Sequence, residues 1–354
     1  MVKFKNKLVK LVDTMSEPNP TLNLEEIRSD QYKTGVTAAY ENDLKRLHKR
    51  LNEFVQVNCP ACGADDATYK LEKYRCKFVE CRKCSTLYMS PRPTPEIMNE
   101  YYSNSENYAF WNKYIFPKSE ANRREKICKP NLEFIINTCR ANGMQRPHLL
   151  EVGPGFGTFA SLANEFDFFG AITVVERTPE MADSCRSRGL NVIDASLEEL
   201  EDDHKFSADI VVCFEVIEHI FDPVGFLLSV NRLLKPGGLF VFTCPNGQGF
   251  DTMMLQSSSP AVDTEHVNLF NTNSIGILLE RAGLELISVE TPGRLDVELV
   301  RKGVIDGELQ IESQTFWQKL LLEDFNILGQ PFQKFLADNK LSGNMRVCAK
   351  KIAE

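Results

Sequence analysis

Apolar residues recur along this chain with two different periods, and the change from one to the other divides it. Residues 23–57 carry apolar side chains at helical spacing, with many glutamate, lysine and arginine residues between them. This pattern predicts a lead-in helix whose charged face lies in solvent. From residue 146 onward, short and nearly continuous apolar runs alternate with helical patterns. Such runs are typical of a parallel sheet that helices cover on both faces.

Six strands of this kind are predicted, with helical patterns between them. In chain order they are RPHLLEV, AITVVE, LNVIDA, ADIVVCFEV, LFVFTCP and LELISVET. NMRVCAKKI, near the end of the chain, predicts a seventh strand beside the sixth. The expected fold class is therefore α/β, with a doubly wound, Rossmann-like sheet of seven mostly parallel strands.

A seventh strand in that place makes residues 294–343, a stretch of mostly helical pattern, an insertion. The sixth strand should run parallel to the first five, so the insertion should leave the sheet at its carboxyl edge. The segment 246–271 follows the fifth strand and should lie at the same edge. Open α/β sheets bind their ligands there, which predicts a lid made of both segments. A helical appendage packed elsewhere is the alternative.

Residues 58–95 differ from both parts and are dense in cysteine, aromatic and turn-forming residues. Cys59-Pro-Ala-Cys62 and Cys81-Arg-Lys-Cys84 are two CxxC pairs separated by eighteen residues. Two tight turns that each offer two thiolates fit a tetrahedral zinc ion, and four thiolates leave no open position, so the zinc would be structural. Cys76 is the competing thiol, and a redox CxxC is the alternative function.

The pattern thus predicts four parts. They are a helical lead-in (1–57), a zinc-ribbon module (58–95), a helical linker or cap (96–145) and the α/β domain (146–354). The third part holds an aromatic run from Tyr101 to Tyr114, for which core packing is favoured over a substrate wall.

The net charge of -8 argues against a surface for nucleic acid. No stretch reaches the ~18 consecutive apolar residues of a membrane span. The start, MVKFKNKLVKLVD, lacks the apolar centre of a secretory signal. We therefore expect a cytoplasmic protein with a small-molecule partner, no nucleic acid and no membrane; the oligomeric state stays open.

A glycine-rich loop, GPGFG, follows the first strand of the α/β domain. A dinucleotide fingerprint requires G-x-G-x-x-G, but Thr158 stands at its third glycine position, and Gly157 comes one place early. A GxGxG loop preceded by Glu151 fits S-adenosylmethionine better, because this ligand has a sulfonium, an amino group and a carboxylate but no phosphate. Glycines let the backbone approach the ligand, and Glu151 favours its cationic side. Glu176, ending the second strand, should accept the ribose hydroxyls, and Asp194 should reach the adenine amino group.

The ordered series EVGPGFGTF, VVE, IDA, VVCFEVIEH and LKPGG resembles the class I S-adenosylmethionine-dependent methyltransferases over roughly residues 146–290. The resemblance implies a cofactor site lined by Glu151, Gly153, Gly155, Gly157, Glu176, Asp194 and Ala195, with Phe214 and Glu215 closing over its methionine end. A nicotinamide enzyme and a non-catalytic adaptor with this fold are the alternatives.

Two Glu-His pairs are candidates for proton transfer. Glu218-His219 follows the fourth strand, and Glu265-His266 lies in the segment expected over the carboxyl edge. A histidine titrates near neutrality and suits a general base. We expect His266 to be the first candidate base and His219 the second. Alternatively, these residues fix a loop or bond to the backbone of a hinge.

A zinc module ahead of a class I domain, followed by the stretch EHVNLF, resembles the sugar C-methyltransferases that act on nucleotide-linked ketosugars. This resemblance implies that Glu265 and His266 remove a proton beside a carbonyl. That family carries a sizeable carboxy-terminal domain for the nucleotide-sugar, whereas this sequence offers the insertion and a short tail. FEVIEH and LKPGG equally resemble the small-molecule O-methyltransferases of quinone biosynthesis, which lack the zinc module.

Overall fold

A computed structural model describes residues 22–200 and 207–352 of the chain. The basic start of the sequence, on which the signal-peptide prediction rests, lies outside these residues. The helices are α1 Leu24–Ile27, α2 Lys33–His48, α3 Pro95–Ser103, α4 Glu106–Phe110, α5 Phe116–Arg123, α6 Lys129–Ala141, α7 Thr158–Asn164, α8 Pro179–Ser187, α9 Pro223–Leu233, α10 Phe250–Leu255, α11 Ser274–Arg281, α12 Asp296–Ile305, α13 Thr315–Gln318 and α14 Phe325–Asp338. The strands are β1 Ala67–Lys73, β2 Cys76–Cys81, β3 Leu87–Met89, β4 His148–Val152, β5 Ala171–Val175, β6 Asn191–Ile193, β7 Ala208–Phe214, β8 Leu234–Pro245, β9 Asn268–Leu269, β10 Leu284–Glu290 and β11 Asn344–Lys351.

The larger sheet has seven strands in the order β10-β11-β8-β7-β4-β5-β6. The pairs β4-β5, β5-β6, β4-β7 and β7-β8 are parallel, and β11 runs antiparallel to both β8 and β10. The prediction of an α/β fold with a seven-stranded, mostly parallel sheet is confirmed. The seventh strand lies beside the sixth as expected, and it also separates the sixth strand from the fifth.

Both faces of this sheet are buried, which explains the continuous apolar runs in the sequence. Successive side chains of a strand point to opposite faces. Leu150 and Val211 therefore belong to one core cluster, whereas Leu149 and Ile210 pack in the other with Leu132 of α6. All five side chains are fully buried. A strand with two covered faces needs an apolar residue at every position, so the alternation of apolar and polar residues that is typical of a half-exposed strand is lost.

The cysteine-rich module forms a second sheet, of four strands in the order β1-β2-β3-β9. Its last strand comes from the α/β part of the chain: Leu87 pairs with Leu269, and Tyr88 pairs with Asn268. A separate apolar core that includes Phe78 lies beneath this sheet. The module is thereby joined to the segment that carries Glu265 and His266. The domain boundaries drawn from the sequence stay predictions.

The insertion between β10 and β11 is helical, as expected, and it starts at the carboxyl end of β10. It packs on α10, the helix that follows β8, around an apolar cluster. This cluster includes Phe250, Leu255, Val297, Val300 and Leu336. The two segments that the sequence placed at the carboxyl edge therefore lie together, whereas their action as a lid stays a prediction. Within the described residues, each helix is too short or too polar to cross a lipid bilayer.

Candidate active site

The glycine loop leaves β4 and enters α7 through three left-handed residues. The φ angles are 67° at Gly153, 55° at Gly155 and 76° at Gly157, a region that side chains with a Cβ rarely adopt. A Cβ on Gly157 would also come within 2.8 Å of Leu190 and 2.9 Å of Cys185. A Cβ on Gly155 would meet nothing within 4 Å. The loop is thus packed tightly on its inner side and leaves open space beside its middle glycine.

Two carboxylates stand at the same edge of the sheet as this loop. Glu151, near the end of β4, is buried, and its Oε2 atom has no hydrogen-bond partner. Burial, together with the charge of Glu176, raises the pKa of Glu151 to about 8. Glu176 follows β5 and accepts a hydrogen bond of 2.8 Å from the backbone N–H of Thr178; burial raises its pKa as well. A cation beside these groups would compensate for the burial of their charge.

The remaining residues expected at the cofactor have other contacts in this structure. Asp194 is exposed and ion-paired with Arg186, and Ala195 is half-buried. The ring of Phe214 lies 4.6 Å from that of Phe159. Glu215 has a left-handed φ of 54°, and its Oε1 accepts bonds from Thr243 (2.6 Å) and Asn344 (2.9 Å). These contacts tie Glu215 to β8 and β11, and the roles expected for these four residues stay predictions.

The four cysteines of the two CxxC pairs come together, with their sulfur atoms all within 4.8 Å of one another. Two separations between the pairs, Cys59 to Cys84 and Cys62 to Cys81, are each 3.5 Å. A tetrahedral zinc with Zn–S bonds of about 2.3 Å sets its sulfurs roughly 3.8 Å apart. A disulfide needs about 2.05 Å. The arrangement fits a metal ion, whereas Cys76 lies apart from it in the core beneath the hairpin.

The two pairs, Glu218-His219 and Glu265-His266, lie next to each other and form one cluster beneath α3. His219 lies in the short 3-10 turn Ile217–His219 after β7, and the centroid of its ring is 4.8 Å from that of His266. The Nδ1–H of His219 donates to the carbonyl of Glu265 (3.1 Å), and that of His266 donates to the carbonyl of Ala261 (2.8 Å). Both imidazoles are therefore fixed by the backbone, with Nε2 left for other partners.

Glu218 is the most unusual member of this group, because its carboxyl group is fully buried and neither oxygen has a hydrogen-bond partner. Its Oε1 lies 3.9 Å from Nε2 of His219. Burial raises the pKa of Glu218 well above the usual range. A carboxyl group in such surroundings holds a proton or faces a cation.

The charges in the cluster are divided unequally between its members. Burial lowers the pKa of His266, but the carboxylates of Asp263 and Glu218 outweigh it and raise this pKa to about 9. Burial and the neighbouring His266 lower the pKa of His219 to about 3. Burial and Asp263 raise the pKa of Glu265 to about 8, although His266 opposes this shift. At neutral pH, His266 is therefore the cation and His219 the neutral imidazole.

Tyrosines of the aromatic run complete the cluster. The hydroxyl of Tyr101 donates to Oε1 of Glu265 (3.1 Å), and the hydroxyl of Tyr102 lies 3.3 Å from Nδ1 of His219. Tyr101 is also buried against Leu47 and its neighbours, so it packs in a core as the sequence suggested. Its additional contact with Glu265 was missed. Helical spacing in α3 gives the buried face, but it does not show which element that face meets.

A cleft of about 440 Å³ opens beside Glu265. Its walls come from the lead-in helices, the β1-β2 turn, the segment after α10, and α12 of the insertion. Lining residues that the sequence analysis did not single out include Arg28, Tyr40, Lys73, Tyr74 and Asp263. The sequence does not indicate these residues, because they are far apart along the chain and belong to no common motif.

Residues 120–289 match the family model described as "Methyltransferase domain". The chain is 29% identical to a ubiquinone biosynthesis O-methyltransferase of Rickettsia prowazekii over 146 residues, which are 40% of this chain and 56% of that protein. It is 38% identical to a probable S-adenosylmethionine-dependent methyltransferase of Mycolicibacterium smegmatis over 84 residues, which are 23% of this chain and 30% of that protein.

Among solved structures, an S-adenosylmethionine-dependent methyltransferase from Clostridium acetobutylicum aligns with a TM-score of 0.44 and 14% identity, covering 69% of this chain and 99% of that chain. The chain spans little more than half the length of the Rickettsia relative.

The seven-stranded sheet and the left-handed glycine loop accompany this match, and residues 120–289 are therefore similar to a methyltransferase domain. The cysteine-rich module, the lead-in helices and the whole insertion lie outside the matched residues.

Proposed function

We propose that this chain transfers the methyl group of S-adenosylmethionine to a small-molecule acceptor. The observation that carries this proposal is the pairing of an open, left-handed glycine loop with two buried carboxylates, Glu151 and Glu176, at the same edge of the sheet. The cofactor would supply an electrophilic methyl group on a cationic sulfur. Glu151 would then face its cationic side, and Glu176 would accept its ribose hydroxyls. Gly153, Gly155 and Gly157 would let the backbone approach its amino-acid portion.

Calorimetric titration of the full chain with S-adenosylmethionine and S-adenosylhomocysteine tests this proposal. We expect saturable binding of both compounds and a severe loss of affinity in Glu176→Ala. Glu133→Ala, which changes an exposed acid on α6, is the matched control and should bind like the unchanged chain. Absence of binding to either compound would end the proposal.

For the chemical step, we propose that the Glu-His cluster removes the acceptor's proton. Glu265 lines the cleft, and a pKa near 8 suits a base that must be ionised in part and still hold a proton. Its carboxylate would take the proton while the acceptor atom forms the new bond to carbon, and the electron pair of the breaking C–S bond would stay on sulfur. The cationic His266 would stabilise the ionised Glu265. His219, a neutral imidazole, would hold the Glu265 backbone through its Nδ1.

The atom that is methylated defines two versions of this reaction. In the first, Glu265 and His266 remove a proton beside the carbonyl of a nucleotide-linked sugar, and carbon is methylated. In the second, an acidic hydroxyl is methylated, in line with the O-methyltransferase names of the relatives. Deuterium exchange separates them: with S-adenosylhomocysteine bound and the acceptor present in D₂O, carbon methylation predicts exchange at the acceptor's C–H, and oxygen methylation predicts none. Mass spectrometry of cell extract incubated with methyl-labelled cofactor would first identify the acceptor.

We also propose a structural zinc ion on Cys59, Cys62, Cys81 and Cys84. Four thiolates in a closed set give a tetrahedral ion no free position for a substrate. None of the eleven cysteines of the chain, all of which the structure describes, forms a disulfide, which fits a reducing compartment, and we propose the cytoplasm.

A further inference from the structure

The cleft beside Glu265 is built by elements outside the seven-stranded sheet. Its walls include α1 and α2, the turn between β1 and β2, and α12. Glu265 belongs both to the cleft and to the Glu-His cluster. At another wall, Ile115 lines the cleft, and the next residue, Phe116, packs 5.3 Å from Phe156 of the glycine loop. The cleft therefore adjoins the Glu-His cluster, and Phe116 lies between one of its walls and the glycine loop.

Two cationic side chains that line this cleft lie against aromatic rings. The guanidinium of Arg28 lies 5.0 Å from the ring centroid of Trp111, and the ammonium of Lys73 lies 5.3 Å from that of Tyr74. Lys73 also donates to the carbonyl of Ser259 (2.8 Å). Such contacts hold a cation in place without neutralising it.

Burial lowers the pKa of Lys73 most; the carboxylates of Asp263 and Glu308 oppose this effect, and the charge of Arg28 adds a smaller lowering. Burial also lowers the pKa of Arg28, although this side chain lines the open cleft and keeps an exposed surface. Asp263 attracts both, but no carboxylate in the described part of the chain lies within ion-pair distance of either. By contrast, Lys33 and Lys302 at the rim are both paired with Asp306.

We infer that this cleft binds the methyl acceptor, and that Arg28 and Lys73 hold an anionic group of it, a phosphate or a carboxylate. Two neighbouring cations that repel each other gain most from an anion placed between them. The anion would fix the acceptor by a part that does not react and present its reacting atom to Glu265. That the ligand is the methyl acceptor rests on the proposed methyl transfer. Binding of an anion at Arg28 and Lys73 can be measured whether or not the chain transfers a methyl group.

Trp111 provides a direct measurement, because the chain has two tryptophans and Trp317→Phe leaves Trp111 alone. In that background, the full chain is titrated with inorganic phosphate and, separately, with acetate at constant ionic strength. We expect a saturable change in fluorescence with at least one of them, and the stronger of the two shows which anion the site prefers. Arg28→Gln and Lys73→Met should each weaken this binding at least tenfold.

Two controls match these variants closely. Arg140 stacks on Phe168 at 5.4 Å, and Lys113 stacks on Tyr114 at 5.2 Å, both outside the cleft. Arg140→Gln and Lys113→Met should leave anion binding unchanged. Arg28→Lys keeps the charge and should lose less than Arg28→Gln, which separates loss of charge from disturbed packing.

No saturable change with either anion, or equal weakening in the control variants, would overturn the inference. Titration with S-adenosylhomocysteine keeps the two proposals distinct. Retained cofactor binding without anion binding refutes only the anion site. Anion binding that depends on Arg28 and Lys73, in a chain that fails to bind the cofactor, refutes only the methyl transfer.

Discussion

Cofactor binding should depend on pH through Glu151. In the free protein, burial and Glu176 hold the pKa of Glu151 at about 8, so this carboxyl group is mostly protonated at neutral pH. A cationic ligand placed beside it favours the ionised form, and binding should release this proton. The affinity should then fall as the pH falls below 8, and reach a plateau only near the lower pKa of the complex.

The expected size follows from the ionised fraction. With a pKa near 8, about 1% of Glu151 is ionised at pH 6, so the affinity should be roughly a hundredfold lower there than with the group fully ionised. This corresponds to about 2.7 kcal/mol. The α-amino group of the ligand itself titrates at roughly 8, so the comparison belongs between pH 6 and 7.5.

Calorimetry in two buffers with different ionisation enthalpies measures the proton directly. Near pH 6.5 we expect release of about one proton per S-adenosylmethionine bound. Glu151→Gln keeps the shape of the side chain and should remove most of this release, leaving a contribution from Glu176. An affinity that does not change with pH, or equal proton release in Glu151→Gln, would refute the assignment of Glu151 to the cationic side of the ligand.

Three further outcomes are expected. Glu265→Gln removes the proposed base and should reduce turnover by roughly two to four orders of magnitude, the usual range for lost proton transfer. His266→Ala should reduce turnover within the same range, because the cation that stabilises the ionised Glu265 is lost. Both variants should largely keep cofactor affinity, and unchanged turnover in His266→Ala would clear His266 of its part in proton transfer. Elemental analysis should find one zinc per chain, lost in Cys84→Ser and kept in Cys76→Ser. Finally, burial and Asp296 raise the pKa of Asp251 in the folded protein to about 7, from a value near 3.8 in the unfolded chain. The contribution of protonated Asp251 to the free energy of unfolding is therefore complete below pH 3.8 and is lost as the pH rises toward 7. Asp251→Asn should flatten the fall in unfolding free energy between pH 4 and 7, which is at most about 1.4 kcal/mol per pH unit; equal slopes in denaturant unfolding would contradict this.

The sequence predicted what depends on neighbouring residues. Hydrophobic periodicity gave the parallel strands and the returning seventh strand, because a strand buried on both faces needs apolar residues throughout. The spacing of Gly153, Gly155 and Gly157 gave the loop, because its left-handed turns need residues without a Cβ. The CxxC spacing gave the four-sulfur cluster and its membership, although it left the place of Cys76 open.

Tertiary structure alone decided which of these features meet. His219 and Glu265 are 46 residues apart in the sequence. Their contact depends on β9, because this strand pairs with β3 and so holds the segment that contains Glu265 against the sheet of the cysteine-rich module. The division of charge within the cluster could not be foreseen either, because burial and neighbouring carboxylates set each pKa. Arg28 and Lys73 carry no local signal at all. Local sequence fixes the conformation of a segment, whereas contacts between distant segments depend on how the whole chain packs, and it is that packing which built the cleft.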